Sequence, residues 1–417
     1  VLQNHGSRCD RVRVGPGLEG VAQGVHVRIG AHSRIPEQVP GPPHPIARFE
    51  DRHAARRHSS GEMAGSPDPA QTRAYDDDVD VLGAHEIILA QERGRRARSV
   101  LAGADTGGMD SPRVAVFGPH PILTITVETR TTGDSDDIHV HAGGQGVWVA
   151  RMAGELGAEP VLCGTAGGET GTVVTALLAG LPFEQRLIRT TAASGCYVID
   201  RRTGDRRPIA TAWSTPMSRH ELDDLFSTTV SAAMAADVLV VTNPLPGDAL
   251  PGDFYRNLVA DVRSTGTPVL VDLSPPRLDA ALPGQPDLVK LNDWELAQFV
   301  TGPVGEPQER SAAVDRLRAH GARSVIVTRG GRPAYATAND GHTVQLVPPR
   351  FDHGSPEGCG DSMMGGIAAS WAAGQPWLTT LTVGMAAGAA NFLRHGLGTG
   401  MRTMVEQLIP QITINRQ

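Results

Sequence analysis

From residue 109 onward, short runs of consecutive apolar residues alternate with stretches in which apolar residues return every three or four positions. The runs at 114–118, 160–163, 237–242, 267–273, 286–291 and 323–328 have the length and β-branched content of buried strands. The stretches at 147–156, 217–234, 250–265, 310–320 and 361–373 carry helical periodicity. Strands that are apolar on both faces, separated by helices, predict a mainly parallel sheet covered on both sides. The segment 195–213 differs: two alternating runs flank the turn around Arg201-Arg202-Thr203-Gly204, which predicts a hairpin standing apart from that sheet. In open parallel sheets ligands bind beyond the carboxyl ends of the strands, so the chemistry is expected in those loops.

Residues 1–108 lack this rhythm. Arginines and acidic residues balance there, His and Pro are frequent, and only 82–101 has the makings of a short helix. Too little apolar surface is present to build a core. The expectation is a disordered extension, or an upstream region read from a misplaced start, ahead of a catalytic domain at 109–412.

Net charge of −7 argues against bulk binding to nucleic acid or to an anionic membrane surface. The four cysteines are scattered, with no CxxC pair, which suits neither a disulfide framework nor a zinc site. With no long apolar stretch and no signal-like opening, a cytoplasmic location is expected. Basic charge comes almost wholly from arginine: Lys290 is the single lysine in the chain.

The segment Gly358-Cys359-Gly360-Asp361 leads into a helical stretch whose apolar residues Met363, Met364, Ile367, Ala368 and Trp371 share one face, with Gly374 as a stop. Amides at such a helix start form an anion site. A carboxylate on the first turn can take a hydroxyl proton while those amides stabilise a phosphoryl group. Taken alone, the same residues also describe an ordinary helix start capped by Asp. Gly365 and Gly366 count against that bland account, since each costs about 1 kcal/mol relative to Ala within a helix.

The loop resembles the second signature of the PfkB-type carbohydrate kinases, with Cys359 in place of the customary Ala. Other elements follow in the family's order. Gly143-Gly144-Gln145-Gly146-Val147-Trp148 resembles the first signature, and Lys290-Leu291-Asn292-Asp293-Trp294-Glu295 the Lys-x-Asn-x-x-Glu element. Thr328-Arg329-Gly330 resembles the nucleotide-contacting turn, while Ala386–Asn391 and Gly398-Thr399-Gly400 resemble the closing segments beside the adenine pocket. The resemblance is nearest the 1-phosphofructokinase and tagatose-6-phosphate kinase branch. It implies an α/β, ribokinase-like three-layer fold with a mainly parallel central sheet and a small β lid.

The same resemblance implies that Asp361 is the catalytic base and that the amides of Gly358, Cys359 and Gly360 form the anion hole. ATP would be held by Lys290, Asn292, Glu295, Thr328, Gly330 and Asn391, with Mg²⁺ organised through water by Asn292 and Glu295. A sugar or sugar phosphate would meet Gly143, Gly144, Gln145, Trp148 and Thr124. The lid implies a possible homodimer.

Some positions depart from the family pattern. Thr124 stands where an acid grips sugar hydroxyls, Trp148 where an Asn is common, and Ala193 where an Arg would hold a sugar phosphate. Pro333 replaces a glycine of the nucleotide turn. Trp148 either stacks on a sugar or base, or fills vacated volume. The expected activity is ATP-dependent phosphorylation of an alcohol on a sugar or sugar phosphate, with an altered acceptor. The alternatives are a non-catalytic regulatory protein on the same fold and a nucleoside kinase.

Overall fold

The computed structural model describes residues 111–130, 135–204, 206–244, 250–394 and 400–416; the expectation made for 1–108 and most of the segment 398–400 lie outside them. The described chain begins with Arg113–Phe117 (β1), Ile122–Thr129 (β2), Asp136–Gly143 (β3), Gln145–Glu155 (α1), Glu159–Gly167 (β4), Gly168–Ala179 (α2) and Glu184–Thr190 (β5). It continues through Cys196–Asp200 (β6), Arg207–Ala212 (β7), Arg219–Met234 (α3), Val238–Thr242 (β8), Gly252–Ser264 (α4), Val269–Asp272 (β9) and Pro275–Ala281 (α5). Leu288–Asn292 (β10), Asp293–Val300 (α6), Pro307–Ala319 (α7), Ser324–Arg329 (β11), Arg332–Thr337 (β12) and Thr343–Val347 (β13) follow. Cys359–Ala372 (α8), Trp377–Phe392 (α9), Arg402–Leu408 (α10) and Thr413–Arg416 (β14) complete it.

The main sheet runs β14-β13-β12-β11-β10-β9-β8-β1-β4-β5. It is parallel from β11 to β5 and antiparallel at the β12–β14 end. Alternation along the buried strands builds the two cores. Ala115 and Phe117 join Leu225 and Tyr255 on one side, whereas Val114 and Val116 join Val149 and Met364 on the other. Helices therefore cover both faces, as the unbroken apolar strands require. The sequence-read helices reappear with ends displaced by at most three residues.

Beside this sheet stands a second one of four strands, in the order β3-β2-β6-β7. The hairpin expected at 195–213 is its β6–β7 half. The β2–β3 half was not read from the sequence, although Ile122–Thr129 alternates apolar and polar residues as a half-buried strand should. Its pairing with β6 is parallel and long-range, so no local turn announces it.

Helix α8 carries the glycine loop at its start and is wedged between α1 and α9. A Cβ on Gly365 would lie 2.7 Å from Val149 O and 2.8 Å from Met152 Cβ. One on Gly366 would lie 2.8 Å from Ala387 Cβ. The paired glycines thus allow three helices to converge behind the loop. Gly374, at φ 67°, ends the helix, its N–H donating to Trp371 O at 2.9 Å. Among the described residues no helix is long and apolar enough to cross a membrane.

Candidate active site

Gly358 adopts φ 73°, a left-handed conformation that turns the chain into α8. The first turn presents the amides of Cys359, Gly360 and Asp361. That of Cys359 leans on Pro356 O at 3.3 Å, while those of Gly360 and Asp361 make no hydrogen bond among the described residues. Free N–H groups at a helix start make an anion site. Asn391 fastens the loop from behind: its side-chain amide donates to Glu357 O at 2.8 Å and approaches Cys359 Sγ at 3.8 Å.

Asp361 lines the cleft that these amides face. Burial pushes its carboxyl up to about 7, helped by the negative charge of Asp272 and opposed by Lys290 and by a hydrogen bond from Gln145. A carboxylate poised near neutrality is suited to accept a proton. Lys290, in the middle of β10, holds its ammonium 2.7 Å from Asp272 Oδ2 at the end of β9. A Cβ on Gly360 would lie 3.3 Å from that ammonium, so the lysine stands directly beside the anion site. Burial works against the charge on Lys290, but Asp272, with Asp361 and Glu295 beyond it, raises its pKa above the ordinary lysine value.

Gln145, the first residue of α1, ties the two halves together. Its side-chain oxygen accepts from Asn243 N at 2.8 Å, and its amide reaches Asp272 O at 3.5 Å. Asn243 in turn donates to Asp272 O at 3.3 Å and accepts from Ser274 N at 2.8 Å. The ends of β8 and β9 are thereby locked to the start of α1. Asp272 and Asn243 were missed in the sequence because neither sits in a glycine motif; the only signal was their position at the ends of apolar runs.

Asn292 and Glu295 form a reciprocal cap on α6. Asn292 Oδ1 accepts from Glu295 N and Glu295 Oε2 accepts from Asn292 N, both at 2.9 Å. Both residues also line the cleft. Burial raises the pKa of Glu295, as does Asp272, against the hydrogen bond from Asn292 N. A cation close by would relieve that penalty, so these hard oxygen donors fit Mg²⁺ bound in part through water. No group of three or more His, Cys, Asp or Glu able to hold a metal occurs among the described residues, so water or ligand oxygens would have to complete the coordination.

Of the residues expected at the site, the cleft gathers Gln145, Lys290, Asn292, Glu295, Thr328, Gly330, Cys359, Gly360 and Asp361. Others fall elsewhere. Asn391, expected against the nucleotide, is fully buried beneath the loop, where an amide without a backbone partner would be costly. Trp148, expected against the acceptor, is buried, its ring 5.6 Å from that of His141 and 5.3 Å from the Arg151 guanidinium. It fills volume and offers no open face. Thr124 is buried at the root of the lid, packed against Gly143, and Gly144 abuts His120 O. Burial pushes the Cys359 thiol up to about 11, with Asp361 and Glu357 adding to the rise. The protonated sulfur donates to Ser355 O at 3.5 Å.

Comparison with known proteins adds a separate finding. Residues 112–404 match the family described as pfkB family carbohydrate kinase. The chain is 29% identical over 308 residues to the ATP-dependent 6-phosphofructokinase isozyme 2 of Mycobacterium tuberculosis, covering 71% of this chain and 88% of that one. It is 25% identical over 276 residues to the 1-phosphofructokinase of Bacillus subtilis, covering 66% and 89%. The crystal structure of phosphofructokinase-2 from Escherichia coli in complex with fructose-6-phosphate superposes with a TM-score of 0.62 at 23% identity, over 72% of this chain and 99% of that one.

Proposed function

The chain belongs to the pfkB family of carbohydrate kinases, and we propose that its domain, at 109–412, transfers the terminal phosphoryl group of ATP to an alcohol of a sugar phosphate. The observation that carries the reading is Asp361 on the first turn of α8, held near neutrality beside two unbonded amides and the Lys290 ammonium. In this mechanism Asp361 removes the proton of the attacking hydroxyl. The amides of Gly360 and Asp361 and the charge of Lys290 stabilise the phosphoryl group in flight. Gln145 orients Asp361 and keeps Asp272 in register with Lys290. Mg²⁺, near Asn292 and Glu295, would neutralise phosphate charge when bound.

Family membership and the named 6-phosphofructokinase and 1-phosphofructokinase relatives support a fructose-phosphate-like acceptor. The burial of Trp148 counts against stacking on a nucleobase, and hence against a nucleoside acceptor. A second copy of the chain is the proposed partner of the lid. Ile138 and Val140, at 64% and 43% exposure, line the lid face that also carries the half-buried Ile125 and Val127.

The decisive experiment is ADP release in the presence of ATP and Mg²⁺ across a panel of sugars, sugar phosphates and nucleosides, with Asp361→Asn alongside. Acceptor-dependent turnover that collapses in the variant supports the reading. Nucleotide binding without turnover on any acceptor would refute it.

A further inference from the structure

Two cations stand among the residues lining the cleft, Lys290 and Arg329. Lys290 is closed into its 2.7 Å pair with Asp272. Arg329 is not closed in this way. Its Nε stands 3.8 Å from Asp293 Oδ2, and the same oxygen accepts from Arg332 Nη2 at 2.5 Å. The buried Nε of Arg329 makes no hydrogen bond. A third guanidinium lies close by: Arg310, buried and donating to Gly305 O at 2.7 Å, sits 4.5 Å from the centre of the Tyr335 ring, and Arg329 sits 5.7 Å from the same ring. Two guanidiniums therefore share the carboxylate of Asp293, and a third stands with one of them against the Tyr335 ring. The like charges of Arg310 and Arg329 disfavour a deeper placement of Arg329. The surplus lies beside a cleft whose other charged lining residues are Lys290, Asp272, Glu295 and Asp361; with Lys290 paired to Asp272, a polyphosphate entering it meets Arg329 as the lining cation not held in a close ion pair.

We propose that Arg329 is a donor-phosphate anchor: when nucleotide binds, its guanidinium leaves Asp293 to Arg332 and pairs with the phosphates that are not transferred. The inference rests on the kinase reading above and adds to it a residue that sets affinity for the phosphate chain. A planar guanidinium presents a fork of donors matched to phosphate oxygens. Because Arg332 already holds Asp293, the exchange leaves no carboxylate stranded. The neighbouring turn permits it, since a Cβ on Gly330 or Gly331 would meet nothing within 4 Å.

Equilibrium binding of ATP, ADP and adenosine to the full chain tests the assignment. Arg329→Leu should lose roughly ten- to a hundredfold in affinity for ATP and ADP, the range expected for a hydrogen bond to a charged group. Adenosine affinity should stay constant, and Arg329→Lys should recover part of the loss. Asp293→Asn, which removes the competing carboxylate, should bind ADP more tightly than the wild type. Unchanged ADP affinity in both Arg329→Leu and Asp293→Asn overturns the inference, as does an equal loss of adenosine and ADP. A wild-type chain that binds none of the three overturns the kinase reading itself, a distinct result from wild-type binding that Arg329→Leu leaves intact.

Discussion

Lys290 Nζ lies 2.7 Å from Asp272 Oδ2, a buried ion pair between adjacent parallel strands, placed beside the Gly360 amide and the carboxyl of Asp361. The pair sets the electrostatics of the cleft: Asp272 makes Asp361 harder to ionise and Lys290 makes it easier. Removing either partner leaves the other charge buried and alone, which costs roughly 3–5 kcal/mol. Lys290→Met is therefore expected to lower the melting temperature and to move the acidic limb of the kcat profile to higher pH. An acidic limb that stays in place would show that Lys290 does not act on Asp361.

Asp361→Asn keeps the shape of the loop and removes the proposed base. Turnover should fall by about 10²- to 10⁴-fold, the usual share of general base catalysis. Affinity for ADP should be little changed, and calorimetry on the variant checks this.

With its pKa raised to about 7, Asp361 is protonated and inactive as a base below neutrality, so kcat should rise with pH through about 7. Stability runs the other way. The folded state keeps a proton that the unfolded chain releases near 3.8, so this group's contribution is fully present below 3.8 and is lost as pH rises to about 7. Asp361→Asn should therefore raise the melting temperature more at pH 8 than at pH 5, as thermal melts at the two values will show.

Gly365→Ala places a methyl group against Val149 O and Met152 Cβ, inside ordinary contact distance. Overpacking of this kind costs roughly 1–3 kcal/mol. Denaturant midpoints should fall accordingly.

Cys359 keeps its proton well above neutrality and donates to Ser355 O. Alkylation at pH 7 should be slow, and Cys359→Ala should retain turnover, since the thiol donates to Ser355 O and takes no part in the proposed chemistry.

The glycine loop that starts α8 was legible because glycines, a carboxylate and a helix start lie next to one another in the chain. Strands and helices of the central sheet were legible for a similar reason, each being a local pattern of apolar residues. Gln145, Lys290, Asn292 and Glu295 were found through short motifs, and the cleft does gather them. Asp272 and Asn243 were not found, because what marks them is the side-by-side pairing of β8, β9 and β10, which no local pattern encodes. Asn391, expected against the nucleotide, and Trp148, read as either stacking or filling volume, are both buried outside the cleft lining: sequence identifies an amide or an indole, and only packing decides which way it faces.

The sequence by itself determined the periodicities, and with them the alternating α/β order and the loop that starts α8. The tertiary structure alone decided which charges meet. Lys290 and Asp272 are 18 residues apart and Asp361 lies 71 beyond Lys290, yet parallel register and the convergence of α1, α8 and α9 bring them to one cleft. Electrostatic energy depends on separation in space and on the water excluded between groups, and neither is written in the spacing along the chain.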